Sequence, residues 1–309
     1  MKILLAQPRG FCAGVVRAID IVEQALALYG SPVYVLHEIV HNQKVLADLT
    51  AKGALFVETL EEIPKGAHAI FSAHGVSERV VDSAKARSLQ ILDASCPLVT
   101  KVHLQSKQYE KDGYVVIVIG HEGHPEVDGI CGNLKNFHVV DCVADIEALP
   151  HQADKRYAYV TQTTLSMDDT RELLDALTLK IPDITGPDIK DICYATQNRQ
   201  NAVKSIADQV ELVLIIGANN SSNSIRLREV ASAKNVAAYR IQSAAELQPE
   251  WFENIHTVGI SAGASTPEEL VSEVINNLQQ HYQAEVSVHP GVEETIQFRL
   301  PKQLQRSSN

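Results

Sequence analysis

Residues 114–130 read YVVIVIGHEGHPEVDGI. Six aromatic or aliphatic residues run without a polar break. Gly120 ends the run, and a short polar loop passes through Pro125 into a helix-like segment. A strand that is apolar on both faces belongs in a parallel sheet covered by helices on both sides. The same order of strand, loop and helix returns in VYVLHEIVHNQKVLADL (33–49) and in ELVLIIGANNSSNSIRL (211–227). A second family of strand ends recurs as AIFSAHGVS (69–77), YAYVTQTTLS (157–166) and VGISAGAST (258–266). A cysteine precedes the first helix of each set: Cys12, Cys96 and Cys193, at spacings of 84 and 97 residues. Each interval has the size of a small α/β domain.

The fold class is therefore α/β, with three similar small parallel-sheet domains spanning 13–95, 96–191 and 192–283 around a pseudo-threefold axis. The third set lacks a last strand before a cysteine, and the N-terminal segment 1–12, whose strand is MKILLA, is expected to supply it and complete that domain. The tail 284–309 departs from the repeat and is expected to add a strand and then fray.

Composition narrows the function. Of 309 residues, 45% are hydrophobic and 21% charged, which excludes a disordered or fibrous chain. Lys and Arg number 27 against 38 Asp and Glu, a net charge of −11, the opposite of what a nucleic-acid binder needs. No apolar run approaches the roughly 20 residues that cross a bilayer. The start, MKILLAQPRG, lacks the apolar stretch and cleavage site of a signal peptide, so a cytoplasmic location is expected. Five cysteines, an odd number and widely spaced, argue against a disulfide framework.

Ligands of open parallel sheets gather at the carboxyl ends of the strands, so the repeat marks three sets of equivalent loops around one shared cavity. The first set carries Cys12, Cys96 and Cys193. The second carries His41 with Asn42, His124 with Pro125 and Glu126, and Ser221, Ser222 and Asn223. The third carries His74, then Thr163 and Thr164, then Ser265. Each cysteine stands near a helix start, where the helix dipole favours a thiolate. Three converging thiolates call for a metal. No CxxC pair is present, so zinc-ribbon and ferredoxin spacings are excluded, while a three-cysteine cubane cluster with one open iron or a zinc site both remain open. Cys131 and Cys142 match no repeat position and read as packing residues. Imidazoles, hydroxyls and helix N-termini together suit a phosphate-type anion. Capping alone would also account for Ser221–Asn223 and for Ser265, Thr266 and Pro267. Glu126, the one carboxylate in these loops, is either a proton donor with a raised pKa or a first-turn helix glutamate. His103 and His121 lack repeat partners and read as structural, and Asp128 as solvent-facing. No GxGxxG or GxxxxGK[ST] is present, so nucleotide binding has no support.

The segments PRGFCAGV, HEIVHN, FSAHGVS, DASCPLVTKVH, GHEGHPEV, TQTTLS, DICYATQNRQ, NNSSNS and SAGAS resemble the motifs of the 4-hydroxy-3-methylbut-2-enyl diphosphate reductases, from about Met1 to about Leu300. The resemblance implies a trefoil of three α/β domains and a 4Fe–4S cluster on Cys12, Cys96 and Cys193. It implies a diphosphate held by His41, His74, His124, Thr163, Ser221, Ser222, Asn223 and Ser265, with Glu126 as proton donor. It implies the last step of the non-mevalonate isoprenoid pathway: reductive dehydroxylation to isopentenyl and dimethylallyl diphosphate, with two electrons from a ferredoxin or flavodoxin. Gln7 and Val16 depart from the residues common at those positions, asparagine and an acidic residue, without removing a ligand. A cluster-dependent hydro-lyase and a non-catalytic iron–sulfur sensor of a phosphorylated ligand are the competing readings. An external reductant separates the first from the reductase, and indifference to loss of Glu126 would mark the second.

Overall fold

The computed structural model describes residues 1–150, 152, 154–187 and 192–305. In chain order the strands are β1 (Lys2–Leu5), β2 (Val33–Leu36), β3 (Ala54–Val57), β4 (His68–Phe71), β5 (Gln90–Asp93), β6 (Tyr114–Ile119), β7 (Phe137–Val140), β8 (Arg156–Thr161), β9 (Leu212–Ile216), β10 (Ala237–Ile241), β11 (Thr257–Ala262) and β12 (Glu285–Val288). The helices are α1 (Ala13–Tyr29), α2 (Gln43–Ala51), α3 (Glu78–Ala86), α4 (Pro97–Lys111), α5 (Pro125–Cys131), α6 (Val143–Ala148), α7 (Met167–Lys180), α8 (Tyr194–Ala207), α9 (Ser222–Ser232) and α10 (Glu268–Tyr282).

Among the described residues the strands form three sheets, ordered β10-β9-β11-β1-β12, β3-β2-β4-β5 and β7-β6-β8. Every pairing is parallel. The chain divides into two compact units. One comprises Met1–Ala13, His41–Val45 and Cys193–Ile296 and holds the five-stranded sheet. The other comprises Gly14–Val40, Leu46–Ile192 and the chain from Gln297 on, and holds the other two sheets. The boundary expected at 191 and the end of the tail, 306–309, lie outside the described residues.

The apolar runs behave as two-faced strands. On β9, Leu212, Leu214 and Ile216 join one core with Ile3, Leu5, Ile260 and the α10 residues Val271, Val274 and Leu278. The alternate residues Val213 and Ile215 join a second core with Val203 of α8 and Leu227 and Val230 of α9. On β6, Ile117 and Ile119 pack with Leu173 and Leu177 of α7, while Val116 and Val118 pack with Val127 and Ile130 of α5. A period of two that is apolar at every position therefore needs helices on both faces.

One strand is shorter than its apolar run. VYVLHEIV stays extended only to Leu36, because His37 takes a left-handed φ of 61° and its N–H donates to the Val57 carbonyl. The turn sends residues 37–42 out as a loop, which is what carries His41. No helix among the described residues is long and apolar enough to cross a membrane.

Candidate functional site

In the two-sheet unit, His124 is the N-cap of α5, and its Nδ1 accepts the Glu126 N–H at 3.1 Å. That bond leaves Nε2 as the protonated nitrogen of a neutral ring. The cap turns Glu126 inward, where it is 2% exposed. Its Oε1 accepts the Thr163 N–H at 2.7 Å and its Oε2 accepts the Thr163 hydroxyl at 2.8 Å. Burial raises the carboxyl to about 7 against the opposing pull of the two Thr163 bonds. Oε1 faces an N–H that can only donate, so a proton on the carboxyl resides on Oε2.

The His124 ring meets His74 edge-on, with centroids 6.0 Å apart. The His74 Nδ1 lies 3.3 Å from the Ser72 hydroxyl. Cys96 is the N-cap of α4, its thiol does not cap the helix, and its N–H donates to Ala73 beside His74. These contacts gather His74, His124, Glu126 and Thr163 into one polar cluster. Sequence reasoning missed Gln162, which is fully buried. Its carbonyl oxygen accepts the His121 N–H at 3.0 Å and its amide donates to Thr164 at 2.9 Å, tying the loop after β6 to the loop after β8. The only sign of it in the sequence was its place inside TQTT.

In the five-stranded unit, the loop after β1 runs beside the end of β11. The Gly10 N–H donates to Ala262 and the Cys12 N–H to Ala264. Cys193 is the N-cap of α8, and again its thiol does not cap the helix. The neighbouring Tyr194 phenol is pushed upward, by burial first and then by the negative charge of Cys12, Glu294 and Cys193. Cys12 and Cys193 therefore share a neighbourhood.

His41 approaches the same strand ends. Its carbonyl accepts the Ser265 hydroxyl at 2.9 Å, and its Nδ1 lies 3.3 Å from the Asn220 amide. Ser221 is the N-cap of α9, accepting the Ser224 N–H at 3.3 Å and the Ser224 hydroxyl at 3.0 Å. Asn223 is buried in the first turn of α9, and neither its amide nitrogen nor its carbonyl oxygen has a protein partner. A buried amide with an unmet donor and an unmet acceptor is costly unless a ligand completes it. The capping expectation fails at Ser265, Thr266 and Pro267. Pro267 is the N-cap of α10, Ser265 bonds His41, and Thr266 bonds the Ile216 carbonyl, because the chain turns back across the strand ends before the helix starts.

Ser224 fits between two strand ends only because both end in glycine. A methyl at Gly217 or at Gly263 would stand 2.1 Å from its hydroxyl. Gly263→Ala is expected to destabilise the fold by about 1–3 kcal/mol, the usual cost of overpacking, with a loss of ligand affinity as the first turn of α9 shifts. Equilibrium denaturation checks it.

Cys12, Cys96 and Cys193 are outside any disulfide and half-buried. Two of them are helix N-caps whose thiols are not used as caps. Their chemistry fits a thiolate-bound metal or cluster. Among the described residues no three His, Cys, Asp or Glu side chains stand together as a ready metal cage. Cys131 packs beside the Val116 and Val118 core, and burial raises its thiol to about 11. Cys142 differs from the packing expectation. It is exposed at the N-cap of α6, because the edge strand β7 stops at Val140 and the chain turns outward. His103 is mostly buried between Gly75 and Gly129, its Nδ1 3.1 Å from the Asn133 amide, and His121 pairs with Asp141 at 2.7 Å.

Comparison with known proteins extends this picture. A family model described as "LytB protein" matches residues 3–279. The 4-hydroxy-3-methylbut-2-enyl diphosphate reductase of Burkholderia pseudomallei is 54% identical over 305 residues, covering 98% of this chain and 97% of that protein. The solved E-1-hydroxy-2-methyl-but-2-enyl-4-diphosphate reductase of Plasmodium falciparum superposes with a TM-score of 0.94 at 37% identity, over 98% of this chain and 96% of that one. A second solved structure, of an (E)-4-hydroxy-3-methyl-but-2-enyl diphosphate reductase described as the terminal enzyme of the non-mevalonate pathway, matches with a TM-score of 0.65 at 36% identity, over 91% of this chain and 100% of that one.

Proposed function

The chain belongs to the LytB protein family, and from that premise we propose that it reduces 4-hydroxy-3-methylbut-2-enyl diphosphate to isopentenyl and dimethylallyl diphosphate in the cytoplasm. The observation that carries the reading is the buried Glu126 carboxyl bonded on both oxygens by Thr163, its pKa pushed up to about 7 by burial. The reaction takes up two electrons and two protons. The allylic C–O bond breaks, the oxygen leaves as water, and a carbon at one end of the allyl system is protonated. A poorly leaving hydroxyl becomes water only if an acid sits beside it, and Glu126 holds its proton on Oε2, the oxygen next to the Thr163 hydroxyl.

We assign the diphosphate to His41, His74, His124, Thr163, Ser221, Ser222, Asn223 and Ser265. The unmet Asn223 amide, with the N-terminus of α9, offers donors to phosphate oxygens. Cys12, Cys96 and Cys193 would hold a 4Fe–4S cluster, which when bound supplies electrons one at a time and one open iron as a Lewis acid. The sequence carries no nicotinamide-type fingerprint, so a ferredoxin or flavodoxin is proposed as donor.

Asn223→Ala is expected to raise KM about 10–100-fold with a smaller change in kcat, the loss of one hydrogen bond to a charged group. Steady-state kinetics and inhibition by inorganic pyrophosphate measure it. The whole proposal is tested on protein purified without oxygen, by iron and sulfide analysis and by turnover with a one-electron reductant. About four irons per chain and formation of both products support it. A colourless chain retaining one zinc, or an iron-loaded chain that leaves the substrate untouched, overturns it.

A further inference from the structure

Arg199, in the DICYATQNRQ segment, is fully buried. An unpaired guanidinium is prohibitively costly in such a place, so its partners define its purpose. Nε and Nη2 donate to the Gly10 carbonyl at 3.0 and 2.7 Å, and Nη2 also to Phe11 at 3.2 Å. Nη1 donates to the Ala195 carbonyl at 2.9 Å. Gly10 and Phe11 lead directly into Cys12, and Ala195 stands two residues after Cys193. The countercharge is Glu294, which takes Nη1 at 3.1 Å on Oε1 and Nη2 at 3.2 Å on Oε2, and also accepts the Asn198 amide at 3.0 Å.

Glu294 lies in the tail after β12, within residues 289–301, which hold no helix or strand and depart from the repeat. The tail lies tight on the same loop: a methyl at Gly291 would stand 1.8 Å from the Gln7 carbonyl oxygen. We infer that Glu294, acting through Arg199, is a positioning residue that clamps the Gly10–Cys12 loop and the start of α8 so that both thiols are presented in fixed places. The inference rests on the reading of Cys12 and Cys193 as cluster ligands. The tail then serves as a strap on the cysteine loops.

The test uses the full chain, with and without iron and sulfide, as wild type, Glu294→Ala, Glu294→Gln, Gly291→Ala and Leu278→Ala. Leu278 is a buried α10 residue of the same unit, and its truncation lowers stability generally. Hydrogen exchange of peptides covering 8–14 and 193–199 is expected to quicken at least tenfold in Glu294→Ala and Gly291→Ala, and less in Glu294→Gln, which keeps an acceptor. Peptides from β9 should exchange as in the wild type. Iron should leave the loaded Glu294→Ala protein to a chelator at least tenfold faster, with a changed electron-resonance spectrum. Leu278→Ala should lower Tm while leaving those two peptides and the spectrum as in the wild type. Wild-type exchange at both peptides in Glu294→Ala overturns the inference, as does equal quickening there in Leu278→Ala. If the wild-type chain takes up no iron, the cluster reading falls and the exchange result alone judges the clamp.

Discussion

Glu126→Gln is expected to lower kcat by about 10²–10⁴-fold while iron content and fold persist. The amide is isosteric with the acid it replaces. Its oxygen still accepts the Thr163 N–H, and its NH₂ can donate to the Thr163 hydroxyl oxygen, so the buried pocket stays filled and bonded. Only the transferable proton is lost. The pH profile should change with it. Wild-type kcat falls as pH rises through about 7, where the buried acid loses its proton, and the variant shows no such limb.

The substitution should affect stability in the opposite sense to kcat. The folded carboxyl has the higher pKa, about 7 against an ordinary 4.5, so between these values the folded chain binds more protons than the unfolded one. This stabilisation is full below the ordinary value and is lost as pH rises through about 7, an effect of about 3 kcal/mol. Glu126→Gln is free of that loss and should be the more stable protein at pH 8 by denaturant titration. Wild-type turnover in the variant would sink the role given to Glu126.

Replacing any one of Cys12, Cys96 or Cys193 by Ser is expected to cost the chain most of its iron and nearly all of its turnover. Serine oxygen is a harder, far less acidic ligand than a thiol, and each site stands at or beside a helix start that favours thiolate. Cys131→Ser and Cys142→Ser should keep full iron. Burial disfavours the Cys131 thiolate, so that side chain acts as a small hydrophobe, and its change should lower stability modestly. Cys142 is exposed and its change should be silent. Iron analysis and the visible spectrum read all five. A full iron complement in Cys193→Ser would refute the three-ligand assignment.

The two-faced strands were legible because apolar alternation on both faces leaves no other packing. The loops that follow them were legible because each run ends in glycine or a polar residue before a helix start. Pairing across long sequence distance was not. Nothing local in TQTT says that Thr163 closes on Glu126, or that Gln162 ties the loop beside it. Nor does anything in the tail announce that Glu294 meets Arg199. Such bonds depend on which strand ends lie side by side, a property of the sheet order. His37 shows the opposite limit: an apolar pattern carries no warning that one residue will adopt a left-handed turn and shorten β2.

The place of β1 has a consequence for how the chain comes into being. Lys2–Leu5 pairs with Thr257–Ile260 on one side and with Glu285–Val288 on the other. Its partners lie far along the chain, so β1 is made well before the strands it pairs with. Closing so long a loop is entropically slow, and pairing must wait until β11 and β12 have left the ribosome. The Cys12 loop hangs from that strand. Nascent chains therefore expose it until β11 and β12 emerge, and a product lacking β12 would leave β1 as an open sheet edge available to other chains.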